Sequence, residues 1–173
     1  TLSVNNGFKD PETGFYDVTV QWSIIAESLN RSVHVKGAHG YGSLIAGGHG
    51  TRISFHHNLW AHHQGRNPRP GNPVPPARDP LGAFHDYRSN VFYDWGGAHS
   101  GYNADTGVKA SIVKYNFVDN TYLPGPASTG RIAFDESNEL AQAWFAGNTM
   151  DGQLPTDQWT LVAGKKGPEH RLA

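Results

Sequence analysis

Apolar and polar positions alternate over short runs through most of this chain, which is the pattern of half-buried β-strands. Several runs end alike, with an apolar or aromatic residue followed three positions later by a polar one. The polar positions are Ser23, Asn58, Asn90, Asn120 and Asn148. The residues three positions earlier are Val20, Phe55, Tyr87, Phe117 and Phe145. Two positions that recur together at a fixed offset indicate a structural repeat.

The polar positions are separated by 35, 32, 30 and 28 residues. A period in this range, built on short strands, predicts a solenoid, whose units stack because none can bury its apolar face alone. The aromatic position would then stack from coil to coil, and the asparagine would satisfy backbone groups at a turn. We therefore predict an all-β parallel β-helix with long turn loops, as one domain over residues 1–173. Five unrelated strands of a sandwich are the alternative.

No long apolar stripe at helical spacing is present, so helices should be short and few. A short helix is expected at residues 137–142. Stretches rich in Pro and Gly at 68–80 and 124–126 predict loops. Residues 154–173 show no clear repeat, and we expect them to form a terminal strand or cap with a solvated tail.

Charge and composition exclude several classes of partner. The formal net charge is −1, so no general attraction to nucleic acid or to an anionic membrane is expected. The sequence has no cysteine, so disulfides cannot stabilise it. It begins at Thr1 without an initiator Met, and no amphipathic helix precedes Val18 to cap the first coil. We therefore expect a processed or truncated chain whose missing N-terminal coils another chain could supply.

Candidate chemistry concentrates in the segment Arg66-Asn67-Pro68-Arg69-Pro70. The guanidinium group is a planar fork of donors that matches a carboxylate. The two prolines restrict the backbone on both sides of Arg69, so less entropy is lost when an anion is bound. The segment therefore predicts a carboxylate receptor, with two ordinary surface arginines in a solvated loop as the alternative.

Several coils also resemble family 1 polysaccharide lyases, the pectate lyases, and their bacterial members in particular. The resemblance covers roughly residues 1–128, and four motifs occur in the family's order. The matching segments are 17–25, 53–59 with Arg66-Asn67-Pro68-Arg69, 86–96 and 118–126.

The resemblance implies a right-handed parallel β-helix that is secreted to the extracellular space or periplasm. It also implies cleavage of pectic polygalacturonate by calcium-assisted β-elimination. On the family's pattern Arg66 is the base, and Arg69 fixes the turn or binds a substrate carboxylate. An arginine base needs a strongly electropositive setting, because the arginine pKa normally lies far above neutral pH.

The chain departs from the family's pattern at two substrate-binding positions. Gly71 stands where many members have a third arginine, and Tyr41 stands where many have a lysine. Lys36 is expected to take over the lysine's role on a lengthened turn. Arg88 could supply a second substrate-binding cation, unless its side chain faces away from the groove. His39 could bind sugar hydroxyls.

Calcium is implied as a cofactor, but its ligands would fall before Thr1, so no metal ligand is assigned to this chain. His56 and His57 are neighbours on a strand and point to opposite faces, which makes a histidine metal site improbable. Two other functions remain open. A β-helix glycoside hydrolase would need paired carboxylates near the arginines, and a non-catalytic pectin-binding module would need only the groove.

Large aromatic side chains near these turns could stack on a sugar ring. Packing in the core or in a turn is nevertheless the expectation for each. These side chains are Trp60, Trp95 and Tyr102.

Overall fold

The computed structural model describes residues 1–5 and 14–172. Within these ranges the chain forms sixteen strands, and the ladders that join them are all parallel. The strands stack in about five coils and form three walls. The prediction of an all-β parallel solenoid is therefore confirmed.

The first wall contains β1 (Leu2–Asn5), β4 (Ser43–Ala46), β7 (Arg69–Gly71), β10 (Gly97–Asn103), β13 (Ser128–Glu136) and β16 (Val162–Gly164). It consists of two three-stranded sheets, β1-β4-β7 and β10-β13-β16, whereas the second and third walls are five-stranded sheets. The second contains β2 (Val18–Gln21), β5 (Thr51–His56), β8 (Ala83–Arg88), β11 (Val113–Val118) and β14 (Ala141–Ala146). The third contains β3 (Ile24–Ala26), β6 (Leu59–His63), β9 (Val91–Trp95), β12 (Thr121–Leu123) and β15 (Thr149–Met150). Short 3-10 helices occupy Gly107–Lys109, Gln158–Leu161 and Pro168–His170.

The predicted aromatic column lies inside the second wall. Phe55 stacks on Tyr87 at 5.7 Å between ring centroids, Tyr87 on Phe117 at 5.0 Å, and Phe117 on Phe145 at 4.8 Å. Trp159 closes the column with its ring edge, 5.2 Å from Phe145. Offset stacks of this kind add to the stability that burial of the rings provides.

The predicted asparagine ladder lies at the turn between the second and third walls. The backbone N–H of Asn58 donates to Oδ1 of Asn90, and the same bond joins Asn90 to Asn120 and Asn120 to Asn148. Each side-chain amide also donates to the backbone carbonyl that the bend would leave unpaired, as Asn90 does to Phe55 at 2.9 Å. The residue before each ladder position has a positive φ; these residues are Trp22, His57, Ser89, Asp119 and Gly147.

The C-terminal residues close the stack, as expected of a cap. Gln158 accepts from the backbone N–H of Asn148 at 2.8 Å and so takes the place of a further asparagine. Leu161 and Val162 are buried over the last coil. The expectation that no helix caps the first coil concerns the residues before Val18. Of these, residues 6–13 lie outside the described residues.

The expected helix at 137–142 is wrong. Residues 139–140 form a turn, and β14 already begins at Ala141. The cause is Asn138, whose side chain accepts from the backbone of Leu140 and Ser111 and donates to the Ser111 carbonyl. An asparagine that satisfies backbone groups in this way favours a turn over a helix.

A second aromatic column was not predicted. Trp60 stacks on Phe92 at 5.0 Å, and Phe92 stacks on Tyr122 at 4.9 Å. These rings follow the ladder asparagines by two positions, which is the alternation of a strand. Trp60 and Trp95 are fully buried, which confirms core packing for both.

Candidate functional site

The two arginines of the predicted carboxylate receptor lie at the first wall. Arg66 has a left-handed backbone (φ 63°), and the Asn67–Pro68 peptide bond that follows is cis. Arg69 then opens β7 and pairs in register with Leu44 on β4. The turn therefore brings both side chains to one groove on the outer face of the wall.

Arg66 is held by two tyrosines from different coils. Its guanidinium carbon lies 4.3 Å from the centroid of the Tyr41 ring. Its Nε donates to the hydroxyl of Tyr102, which lies on β10, at 3.3 Å. A guanidinium over a ring face is stabilised as a cation. Tyr41, which stands where the family resemblance implies a lysine, therefore contacts Arg66 through its ring face.

The groove beside Arg66 has a volume of about 620 Å³. None of the described residues that line it carries a carboxylate. The lining residues are Thr1, Ser3, Ser28, Leu29, Ser32, His34, Lys36, His39, Leu44, Arg66 and Arg69. Lys36 and His39, both predicted from sequence, thus join Arg66 in one cationic surface.

His39 occupies the centre of this basic cluster. It stacks on His34 at 4.2 Å between ring centroids and meets the Tyr41 ring edge-on at 4.5 Å. Desolvation lowers the pKa of His39, and the nearby positive charges of His34, Arg66 and Lys36 lower it further. Desolvation is the larger cause, and the repulsion from Arg66 and Lys36 agrees with the cationic lining of the groove.

Arg69 has an internal partner that the sequence did not reveal. Its Nη2 lies 2.9 Å from Oδ1 of Asp105, and the two side chains are 22% and 19% exposed. Burial raises the pKa of Asp105, whereas Arg69 and Lys109 act in the opposite direction. A side chain at Gly71 would collide with Asp105, because a Cβ there would lie 2.7 Å from Oδ2. The sequence shows that Gly71 replaces an arginine of the family's pattern, but it does not show that Asp105, 34 residues later, lies beside Gly71.

Arg88 does not join the groove. It lies at the end of β8 in the second wall, where its Nε donates to both carboxylate oxygens of Asp86 at 2.9 and 2.7 Å. The alternation along β8 places its side chain outside the solenoid, on a different wall from Arg66. The structure therefore gathers Arg66, Arg69, Lys36, His39 and Tyr41 and leaves Arg88 apart.

The described residues do not fit the calcium ion that the resemblance implies. Calcium prefers several oxygen ligands, and no group of three or more His, Asp or Glu side chains in the described ranges is arranged to hold a metal. The carboxylates near the groove have other partners, since Asp105 pairs with Arg69 and Glu27 faces His62 at 3.7 Å.

Comparison with protein-family models and with curated proteins finds no match for this sequence. The resemblance of its coil motifs to pectate lyases stays a prediction, as do the pectic partner and the extracellular or periplasmic location. In the part of the chain that the structure describes, no helix is long and apolar enough to cross a membrane.

Proposed function

We propose that this protein binds an acidic polysaccharide of the polygalacturonate type in the first-wall groove and cleaves it by β-elimination, as a pectate lyase-like enzyme. The observation that carries the proposal is a cationic groove without a lining carboxylate among the described residues, in which two tyrosines hold Arg66. A polyuronate carries one carboxylate per sugar and so complements such a surface.

The reaction needs a base and a cationic environment. The proton on C5 of a galacturonate is α to the carboxylate, so its removal places negative charge there. The electron pair of the C5–H bond forms a C4–C5 double bond, the C4–O4 bond breaks, and the leaving oxygen takes a proton. Lys36 would stabilise the developing charge on the carboxylate.

Arg66 is the residue that we assign as base. It shares the groove with Lys36 and His39, and its guanidinium lies against the Tyr41 ring. The base role is tested separately from substrate binding.

The first experiment follows the ultraviolet absorbance of unsaturated product from polygalacturonate, with added calcium and again with chelator. A signal that chelator removes supports a metal-dependent lyase whose ligands include groups beyond the described residues. A signal that survives chelation supports elimination by the chain's own residues. No signal from a folded protein contradicts the lyase.

The base is tested with Arg66→Lys, which keeps the charge but changes the group. We expect loss of turnover by at least about 100-fold, the scale of general base catalysis, with the fold intact by circular dichroism. Arg52→Lys on the second wall, where Arg52 pairs with Asp17, is the matched control. Full activity of Arg66→Lys would remove Arg66 as base.

A binding module without catalysis is the second candidate. It is favoured by the contact of Arg66 with Tyr41, which stabilises the charged form that binds carboxylate. It would bind polygalacturonate and release no product. A glycoside hydrolase is less well supported, because the described lining of the groove offers no pair of carboxylates.

A further inference from the structure

A serine and a histidine form a short hydrogen bond at the edge of the cationic groove. Ser28 follows β3 and lines the groove, and its Oγ lies 2.7 Å from Nδ1 of His63, the last residue of β6. The other ring nitrogen of His63, Nε2, lies 2.8 Å from the backbone carbonyl oxygen of Ile25. His63 is 2% exposed, whereas Ser28 is half-buried. The histidine is therefore shielded from water, and the serine reaches the groove.

The partners of His63 fix the direction of its two hydrogen bonds. A carbonyl oxygen can only accept, so Nε2 carries a proton and donates it to Ile25. Desolvation lowers the pKa of His63, so the ring is neutral at neutral pH and Nδ1 carries no proton. The Ser28 hydroxyl therefore donates to Nδ1, which is the arrangement in which a histidine activates a serine as a nucleophile.

The three groups match the roles of nucleophile, base and orienting group. In the familiar triad a carboxylate orients the histidine and stabilises its charged form. Here the carbonyl of Ile25 fixes the same kind of tautomer, although it offers no full negative charge. Ile25 lies on β3, whose register with β6 pairs Ile25 with Trp60 and so holds the carbonyl in place. The base is thus oriented by a group that cannot titrate.

The groove supplies the positive charge that an acyl-transfer reaction needs. Attack on an ester carbonyl places negative charge on its oxygen, and nearby cations stabilise that oxyanion. Lys36 and Arg66 line the same groove as Ser28. The same cations attract a uronate carboxylate. An acyl ester on a sugar hydroxyl leaves that carboxylate charged, so an acylated uronate keeps its attraction to the groove.

We infer that Ser28 and His63 hydrolyse an acyl ester on a hydroxyl group of an acidic polysaccharide bound in the first-wall groove. The serine oxygen attacks the acyl carbon, and Nδ1 of His63 takes the serine proton. The bond from the acyl carbon to the sugar oxygen breaks, and the sugar oxygen takes that proton from His63. Water, activated by the same nitrogen, then cleaves the acyl-serine and releases the carboxylic acid. The choice of polymer rests on the proposed function, whereas the ester cleavage does not depend on elimination.

The first test measures release of p-nitrophenolate from p-nitrophenyl acetate by the 173-residue chain. Ser28→Ala should lower the rate by at least about 100-fold, the scale of catalysis by a general base and its nucleophile. Ser54→Ala is the matched control and should keep the rate, because Ser54 is a half-buried serine on the second wall that donates to Asp86. Equal rates for the wild type and Ser28→Ala would overturn the inference.

A covalent probe and a pH profile separate a reacting serine from a structural one. A fluorophosphonate should label the wild type at Ser28, as located by peptide mass spectrometry, and absence of label there would contradict the nucleophile. The kcat/KM should follow deprotonation of a group whose pKa lies below 6.5, since desolvation lowers the pKa of His63. The Ile25 carbonyl and Glu27 oppose this shift, whereas the N-terminal amino group and His62 add to it. A profile that rises only above pH 6.5 would exclude His63 as base.

The class of substrate is tested with acetylated polymers. Acetate release from acetylated polygalacturonate should exceed release from an acetylated neutral glucan by at least about tenfold, because a cationic cleft concentrates an anionic polymer. Equal rates on the two polymers would overturn the assignment to an acidic polysaccharide. Ester cleavage that requires Ser28, without unsaturated product from polygalacturonate, would support this inference and contradict the lyase.

Discussion

At the turn between the second and third walls, successive coils place a polar residue at the same point. The groove on the first wall instead takes its side chains from different loops. Asn58, Asn90 and Asn120 make identical bonds in successive coils. Arg66 and Asp105, by contrast, each have contacts that are not repeated in the other coils of the described ranges. The repeated turn supplies stability, and the irregular wall is free to vary its chemistry.

The largest effect is expected when an asparagine in the middle of the ladder is replaced. Asn90→Ala removes the acceptor of the Asn58 N–H and the donor to the Phe55 carbonyl, and both groups stay buried. Two unsatisfied buried groups predict a loss of about 3 kcal/mol in the free energy of unfolding, measured by urea denaturation. Asn116→Ala, which removes a half-buried bond to Asp86 on the outer face, should cost less than about 1 kcal/mol. Equal losses would contradict the comparison.

Glu136 is a buried acidic residue in the interior of the solenoid. It lies at the end of β13, and burial raises its pKa to about 8, although the backbone N–H of Asn138 donates to it. A carboxyl whose pKa rises on folding holds its proton more tightly in the folded chain. The stability that it contributes is therefore complete below its ordinary pKa of about 4.3 and is lost as the pH rises through 8.

Glu136→Gln should remove this loss. Between pH 6.5 and 8 the wild type should lose about 2 kcal/mol relative to the variant, in urea denaturation at successive pH values. Burial lowers the pKa of His85 to about 3, so His85 acts with the opposite sign at lower pH, but it does so equally in both proteins and cancels in the comparison. Parallel stability curves for the two proteins would show that Glu136 ionises in the folded chain without cost.

The smallest expected effect lies in the groove. Tyr41→Leu removes the ring beneath Arg66, and we expect polygalacturonate to bind about three- to fivefold more weakly, since a partly exposed cation–π contact contributes about 1 kcal/mol. The free energy of unfolding should change by less than about 0.5 kcal/mol. Tyr93→Leu on the third wall, where Tyr93 meets His62, is the matched control. Calorimetry that finds no difference between the two variants would remove Tyr41 from the site.

The difference between the two regions also explains what could be read from the sequence. The ladder and the column of Phe55, Tyr87 and Phe117 were predictable because the same physical demand recurs in every coil. The pairing of Arg69 with Asp105 was not, since it joins residues 36 apart in two unlike loops. Arg88 illustrates the same limit, because the sequence shows that it ends a strand but not which wall that strand joins.

The asparagine ladder has a direction. From Asn58 onward each side-chain amide accepts from the coil before it and donates to the next ladder residue, as Asn90 does between Asn58 and Asn120. The amide dipoles therefore add along the solenoid axis, and each hydrogen bond polarises the next. Gln158 receives the last of these bonds and turns its own NH₂ group back to the carbonyls of Asn148 and Pro155. The ladder of amide dipoles therefore ends in hydrogen bonds within the protein, and the NH₂ group of its last amide is paired.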